Sequence, residues 1–397
     1  MATFSVPGIK VSGLAACVPR KEVSNYDYRW VTVKEREQLV KTIGVEKRRH
    51  VEKGMATSDM CQKAAQSLLE GLHWNPAEIE LLIFVSQTRD YLIPQTSNIL
   101  QHKLGLPTTA ISLDISLGCS GYVYGLAVAS AMMNSFGISK ALLLVGDISS
   151  LNSAYRDKST YPLFGDAGTA TALERLEDAP QMYFSLEGDG SGYKAIMIPD
   201  GGMRNIVSKK SFEYKKIAPG IYRTPLHIAL DGIEVFNFSL REVVPNINKL
   251  LAFSGQELAN VDYILFHQAN RLINESLRKM LKIPKEKVPY SLNKLLILNK
   301  RFFKINTILA YIGLAYAVIA TIGAFVFPDL FISLTKHKAT WMYYEADYGR
   351  GQEGILYAIR DVLLGIYIIY SIVAVMIDMI LHRNYRYLLY PALGLLF

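Results

Sequence analysis

The chain has 397 residues, half of them apolar and a fifth charged, with a formal net charge of +8. That length gives room for two or three domains. The positive balance admits nucleic acid, an anionic lipid surface or an acidic carrier protein, and the lack of a basic low-complexity tail or zinc-finger spacing makes nucleic acid the weakest of these, so no nucleic-acid partner is expected.

Three sparse, widely separated cysteines, Cys17, Cys61 and Cys119, suit a reducing compartment rather than a disulfide framework. The N-terminus, MATFSVPGIKVSGLAA, has no basic segment followed by a long apolar one, so no cleaved signal peptide is expected. Glu80–Thr88 (ELLIFVSQT), Ala110–Ser116 (AISLDIS) and Ala141–Ser149 (ALLLVGDIS) are apolar and β-branched, the pattern of buried strands. Between the last two lies GYVYGLAVASAMMNSFG, apolar on nearly every face, which predicts a helix buried at a domain centre. After the turn-rich FGDAGTATALE the pattern restarts. MYFSLEGDGSGYKAIMIPDGG reads as strands with Gly turns, and DGIEVFNFSLREVVPNINKLLAFSG as an amphipathic helix ending at Gly255. VDYILFHQAN reads as a strand delivering a polar cluster to the helix RLINESLRKMLKI. Two successive α/β halves of similar order suggest an internal duplication, with halves at 1–178 and 179–294.

Beyond Lys304 charges become scarce. Ile308–Phe327 has no charged residue over twenty positions, and about 20 apolar residues span a ~30 Å hydrocarbon core. A second run, Val362–Ile377, continues past Asp378 to Leu381. A membrane region at 295–397 is therefore predicted, with spans at about 306–327 and 358–381 and a partial third span from 388. Lys294, Lys300, Arg301 and Lys304 before the first span, and Arg383 and Arg386 after the second, predict both ends in the cytoplasm. The expected location is membrane-associated, with the N-terminal domain on the cytoplasmic side.

In LDISLGCSGYVYGLAVAS a strand runs in, Gly118 permits a tight turn, and Cys119 sits where the apolar helix begins. A helix N-terminus favours a thiolate, so a lowered pKa and a nucleophilic sulfur are expected; its N–H groups also suit an oxyanion. The alternative is a buried structural cysteine. In FHQAN, His267 is placed at a strand end beside the amides of Gln268 and Asn270. Its neutral imidazole suits donation to an enolate or proton transfer, the alternative being a capped core histidine. No histidine pair has metal-ligand spacing with a third ligand, so no metal is expected.

The order GCSG before a buried helix, FGDAGTAT, then FHQAN resembles the β-ketoacyl-acyl-carrier-protein synthase III family of the thiolase superfamily, over roughly residues 5–293. The resemblance implies an α/β, thiolase-like fold of duplicated α-β-α-β-α layers, here with an incomplete second half followed by transmembrane α-helices. It implies that Cys119 takes an acyl group from acyl-CoA or acyl-ACP. Malonyl-ACP then decarboxylates and condenses with the acyl-cysteine, with His267 stabilising the enolate and Asn270 and Arg271 at the substrate. It further implies a homodimer, no bound cofactor, and acyl carrier protein as partner. Lys47, Arg48, Arg49, Arg271, Arg278 and Lys279 are candidates to meet that acidic carrier, the alternative being an ordinary solvated basic face.

The chain departs from the family pattern in two places. Where the family has Trp and Arg at its Thr-Gly-Ile turn, the corresponding positions are Gln38 and Thr42, the latter the first residue of TIGV. Where it has Asn in Gly-Asn-Thr-Ser, the stretch reads SLNKLLILNK with Ile297 at the Asn position, and neither Asn293 nor Asn299 has the flanking residues. Three functions follow as alternatives: a membrane-tethered condensing enzyme, a fused and truncated chimera limited to acylation of Cys119, or a membrane-protein fragment whose N-terminal part binds acyl carriers.

Overall fold

Two of the three apolar runs expected as buried strands form the centre of a five-stranded sheet, and the third, Ala110–Ser116, supplies its partly exposed edge strand. In a computed structural model that describes residues 3–290, the strands in chain order begin with β1 (Thr3–Val6), β2 (Ile9–Cys17), β3 (Glu22–Ser24) and β4 (Lys47–Arg49). They continue with β5 (Leu81–Val85), β6 (Ile111–Ile115), β7 (Lys140–Ile148), β8 (Asp166–Arg175) and β9 (Met182–Ser185). The shorter helices are α1 (Val33–Ile43), α2 (Thr57–Leu72), α3 (Thr96–Lys103), α4 (Gly121–Phe136) and α6 (Arg271–Met280); α5 (Gly232–Ser254) is longer. The described residues belong to the unit Met1–Leu295.

The central sheet has the order β2-β8-β7-β5-β6. β5 is parallel to both β6 and β7, and β8 is antiparallel to β7 and β2. A strand with neighbours on both edges and helices on both faces has no solvent side, which is why LLIFV is continuously apolar. Its side chains alternate between two cores. Leu82, Phe84, Leu142 and Leu144 meet Ala64 and Leu68 of α2 and Leu100 of α3. Leu81, Ile83, Val85 and Leu143 meet Ala127, Ala129 and Met133 of α4 on the other face. Each fully buried Leu or Phe contributes roughly 1.5–3 kcal/mol.

Asp114, on the strand that leads to Cys119, ties α3 to the sheet. Its Oδ2 accepts from Thr96 N and its Oδ1 from Ser97 N, both at 2.8 Å. Those are orphan donors of a helix whose own N-cap residue, Gln95, makes no side-chain cap bond. Asp114→Ala is expected to cost about 1–2 kcal/mol in denaturant unfolding. A loss below a few tenths would show the cap to be dispensable.

The second half differs from the sequence expectation. α5 runs to Ser254 with Gly255 as its C-cap, and its N-cap Asp231 accepts from Ile233 N and Glu234 N. The predicted strand over VDYILFHQAN is not formed. The segment is extended, and Ile264 N donates to Lys287 O at 2.8 Å. A strand exists only where a neighbour completes its ladder, and among the described residues no strand flanks this one. Leu265 and Tyr263 consequently stand 76% and 48% exposed. Ile264 and Phe266 turn inward to a small core with Val244, Ile247, Leu281 and Ile283. The other second-half strands, like β1 with β9, occur as two-stranded pairs, so the expected second β-layer is not present as a sheet among the described residues.

The predicted spans at 306–327, 358–381 and from 388 lie outside the described residues, as do Asn293, Ile297 and Asn299. Among the described residues no helix is long and apolar enough to cross a membrane.

Candidate active site

β6 stops at Ile115 and α4 starts at Gly121, so Cys119 occupies the connection, with Ser120 as the N-cap residue. The Ser120 side chain makes no cap hydrogen bond. All three cysteines are free, and they differ in access. Cys61 is on the buried face of α2 and its thiol pKa is pushed up to about 12 by burial. Cys17 is half-buried and also raised by burial. Cys119 is exposed, unlike a buried structural cysteine.

Its ionisation departs from expectation. The residue is exposed as a whole, yet protein atoms surround its sulfur closely enough for desolvation to raise the thiol pKa above the ordinary value. The charge of Asp147 raises it further, and the hydrogen bond from the backbone N–H of Cys119 itself acts the other way. The predicted depression is therefore corrected: burial, and after it the nearby anion, push the thiol pKa up rather than down.

His267 lies at the end of the extended segment and is exposed. Desolvation holds its pKa below the usual imidazole value, so the ring is neutral at pH 7. The backbone folds back at once, with Ala269 N donating to His267 O at 2.9 Å. Asn270 is the N-cap of α6, its Oδ1 accepting from Ile273 N at 2.9 Å. Arg271, the first residue of α6, lies against Gly44 at the end of α1; a Cβ built on Gly44 would fall 2.9 Å from Arg271 Cβ. His267, Asn270 and Arg271 are thus brought onto one turn, and Cys119 is carried on another. Among the described residues no hydrogen bond joins Cys119 to His267.

The predicted basic face is altered in one position. Arg48 is buried, with Nε on Asn25 Oδ1 at 3.1 Å and Nη1 on the carbonyls of Tyr161 and Phe164. It cannot meet an external partner, because it is the inward residue of the three-residue strand β4. Lys47 and Arg49 share Glu22, and Arg278 pairs with Glu275. The Lys47 and Arg49 pairs are solvent-accessible and contribute little to stability, whereas the Arg278 pair is partly buried.

Two further residues carry no motif that singles them out in the sequence. Asp147, at the end of β7, accepts four hydrogen bonds on Oδ1: from Gln87 N at 2.8 Å, Thr88 N at 3.1 Å, Thr88 Oγ1 at 2.9 Å and Ser86 Oγ at 3.0 Å. Burial raises its carboxyl pKa, and those bonds oppose the rise. Gln87, in the turn so held, lies against Gly118. The available signal is positional: SQT and GD are the polar residues ending two adjacent parallel strands, the edge where α/β sheets carry ligands.

The model of 3-oxoacyl-[acyl-carrier-protein (ACP)] synthase III matches residues 113–190, and the model of the same family's C-terminal part matches residues 251–295. The β-ketoacyl-[acyl-carrier-protein] synthase III of Syntrophomonas wolfei is 32% identical over 287 residues, covering 72% of this chain and 83% of that protein. The same-named protein of Koribacter versatilis is 30% identical over 295 residues, covering 73% and 85%. Among solved structures, a 3-oxoacyl-(acyl-carrier protein) synthase from Burkholderia xenovorans superposes with a TM-score of 0.69 at 35% identity, over 74% of this chain and 82% of that one. The fold is therefore thiolase-like, and the C-terminal match carries family character through residue 295.

Proposed function

The chain belongs to the 3-oxoacyl-[acyl-carrier-protein] synthase III family, and from that premise we propose that it transfers an acyl group through Cys119 and condenses it with a malonyl-carrier thioester. The observation that carries this reading is the placement of one exposed thiol, Cys119, in the connection before the central helix α4, within the segment matched to the family.

The thiolate attacks the carbonyl of acyl-CoA or acyl-ACP. The tetrahedral oxyanion collapses, the carrier sulfur leaves, and it takes up the proton that Cys119 gave up. Malonyl-ACP then loses carbon dioxide, and its enolate carbon attacks the acyl-cysteine. The Cys119 thiolate departs and is reprotonated by water, leaving a 3-oxoacyl thioester. His267, neutral because desolvation lowers its pKa, donates a hydrogen bond to the thioester oxygen as the enolate forms. No resident cofactor enters these steps. The family premise also supports a homodimer and an acidic acyl carrier protein as partner. Arg271 is exposed on the turn that carries His267, where it suits a phosphate or acidic surface on that carrier.

A second reading, acyl transfer without condensation, is favoured by the stretch 291–300, SLNKLLILNK, which places Ile297 where the family pattern has its Asn. One experiment separates the two. Purified protein is mixed with radiolabelled acyl thioester, then with malonyl-ACP. Label bound to the parent protein and lost in Cys119→Ser, followed by chase into a 3-oxoacyl product, supports the full cycle. Label that stays on the protein supports the second reading, and equal labelling of Cys119→Ser would overturn both.

A further inference from the structure

The turn at Ser86–Thr88 is held from three sides. Asp147 Oδ1 receives its two backbone N–H groups and the Ser86 and Thr88 hydroxyls. Ile148 N donates to Thr88 Oγ1 at 2.8 Å, and Thr57 Oγ1, at the start of α2, lies 2.8 Å from the same hydroxyl. A polar network with this many members fixes a backbone far more firmly than the end of a strand requires. Within the turn Ser86 is buried and Thr88 half-buried, and only Gln87 is exposed. Its side chain lies over Gly118, the residue before Cys119. A Cβ built on Gly118 would sit 2.4 Å from Gln87 Oε1 and 3.2 Å from its Cδ. The carboxamide therefore fills the space that any larger residue at position 118 would need.

We propose that Gln87 is a positioning residue for the nucleophile turn: the network anchored on Asp147 holds it in place, and its carboxamide seats Gly118 and so sets the direction of the Cys119 thiol. This rests on Cys119 being the acyl acceptor. Small displacements of a reacting atom are costly, since about 1 Å can remove ~10²-fold in rate. Asp147 is the ionisable group already acting on the thiol. A carboxylate in place of the Gln87 amide would add a second anion beside Gly118, next to the thiol.

The test uses the full chain with two substitutions and two readouts. Gln87→Ala is expected to lower kcat for acyl transfer to Cys119 about tenfold, with KM unchanged. Gln87→Glu, equal in size, is expected to move the pH midpoint of Cys119 alkylation by iodoacetamide upward by about half a unit or more, because a nearby like charge disfavours the thiolate. That shift reads whether the side chain reaches the thiol, whereas a kcat loss in Gln87→Ala with an unchanged melting curve separates positioning from a role confined to folding. Unchanged kcat in Gln87→Ala, or an unmoved midpoint in Gln87→Glu, overturns the proposal. Alkylation needs no acyl substrate, so the midpoint remains informative if acyl transfer to Cys119 itself fails. That separate failure is detected by the labelling of Cys119→Ser.

Discussion

Replacing His267 by alanine is expected to lower condensation about 10²–10³-fold while acylation of Cys119 stays within a few-fold of the parent rate. The asymmetry follows from where the residue sits. His267 is on the turn before α6 and shares no hydrogen bond with Cys119 among the described residues, so the thiol does not depend on it for ionisation. Its imidazole is neutral at pH 7, since desolvation is the cause of its lowered pKa, and a neutral ring with one N–H can donate to an enolate oxygen without first losing a proton. The two half-reactions should then titrate in different places. Acylation should climb with pH through and above the ordinary thiol range near ~8.5, because burial and Asp147 raise the Cys119 pKa. Condensation should fall only at acid pH, below the depressed pKa of His267, where the ring becomes a cation. Carbon dioxide release from labelled malonyl-ACP, measured beside acyl labelling, reads both steps. Equal losses in the two steps on His267→Ala would assign the histidine to acylation as well, and the division of labour between Cys119 and His267 would be wrong.

The parts of this arrangement that are legible in the sequence are those set by local pattern. LLIFV announces a strand buried on both faces because every residue in it is apolar, and GYVYGLAVAS announces the central helix for the same reason. The end of α5 at Gly255 is legible because an amphipathic period stops there. What stays hidden depends on partners distant along the chain. VDYILF has the composition of a strand, yet strand formation is a property of the pair, and among the described residues Ile264 N meets Lys287 O without a neighbouring strand. The Cys119 pKa runs against the sequence expectation because the helix terminus is visible in GCSGYV, while the burial that chiefly raises it, and the lesser effect of Asp147 from another strand, arise only once the sheet is assembled. Arg48 illustrates the opposite case. EKRRH looks like a solvated basic cluster, but a strand alternates its faces, so one of three consecutive basic residues had to point inward. Its carbonyl partners, Tyr161 and Phe164, come from the loop preceding FGDAGTAT and from the first residue of that motif.

That motif also carries the largest expected loss of stability. Gly168, on β8, sits opposite Cys17 of β2 and Gly146 of β7, directly beneath the start of α2. A Cβ there would fall 2.6 Å from Cys61 N, 2.7 Å from Met60 Cβ and 2.8 Å from Met60 C. Two of those are helix backbone atoms, so relief requires moving α2 rather than turning a side chain. α2 cannot move freely, because Ala64, Ala65 and Leu68 are packed into the core formed with Leu82, Leu142 and Ala170, and a close-packed interior transmits such strain. Gly168→Ala should therefore cost about 3 kcal/mol or more, at the upper end of overpacking effects, and lower the thermal midpoint by roughly 6–12 °C. Gly190→Ala is the matched control. Its new methyl group meets nothing within 4 Å, and the expected change is within about 0.5 kcal/mol. Circular dichroism melts of the two variants beside the parent decide the matter. If Gly168→Ala melts with the control, α2 is not seated on β8 as closely as these contacts require.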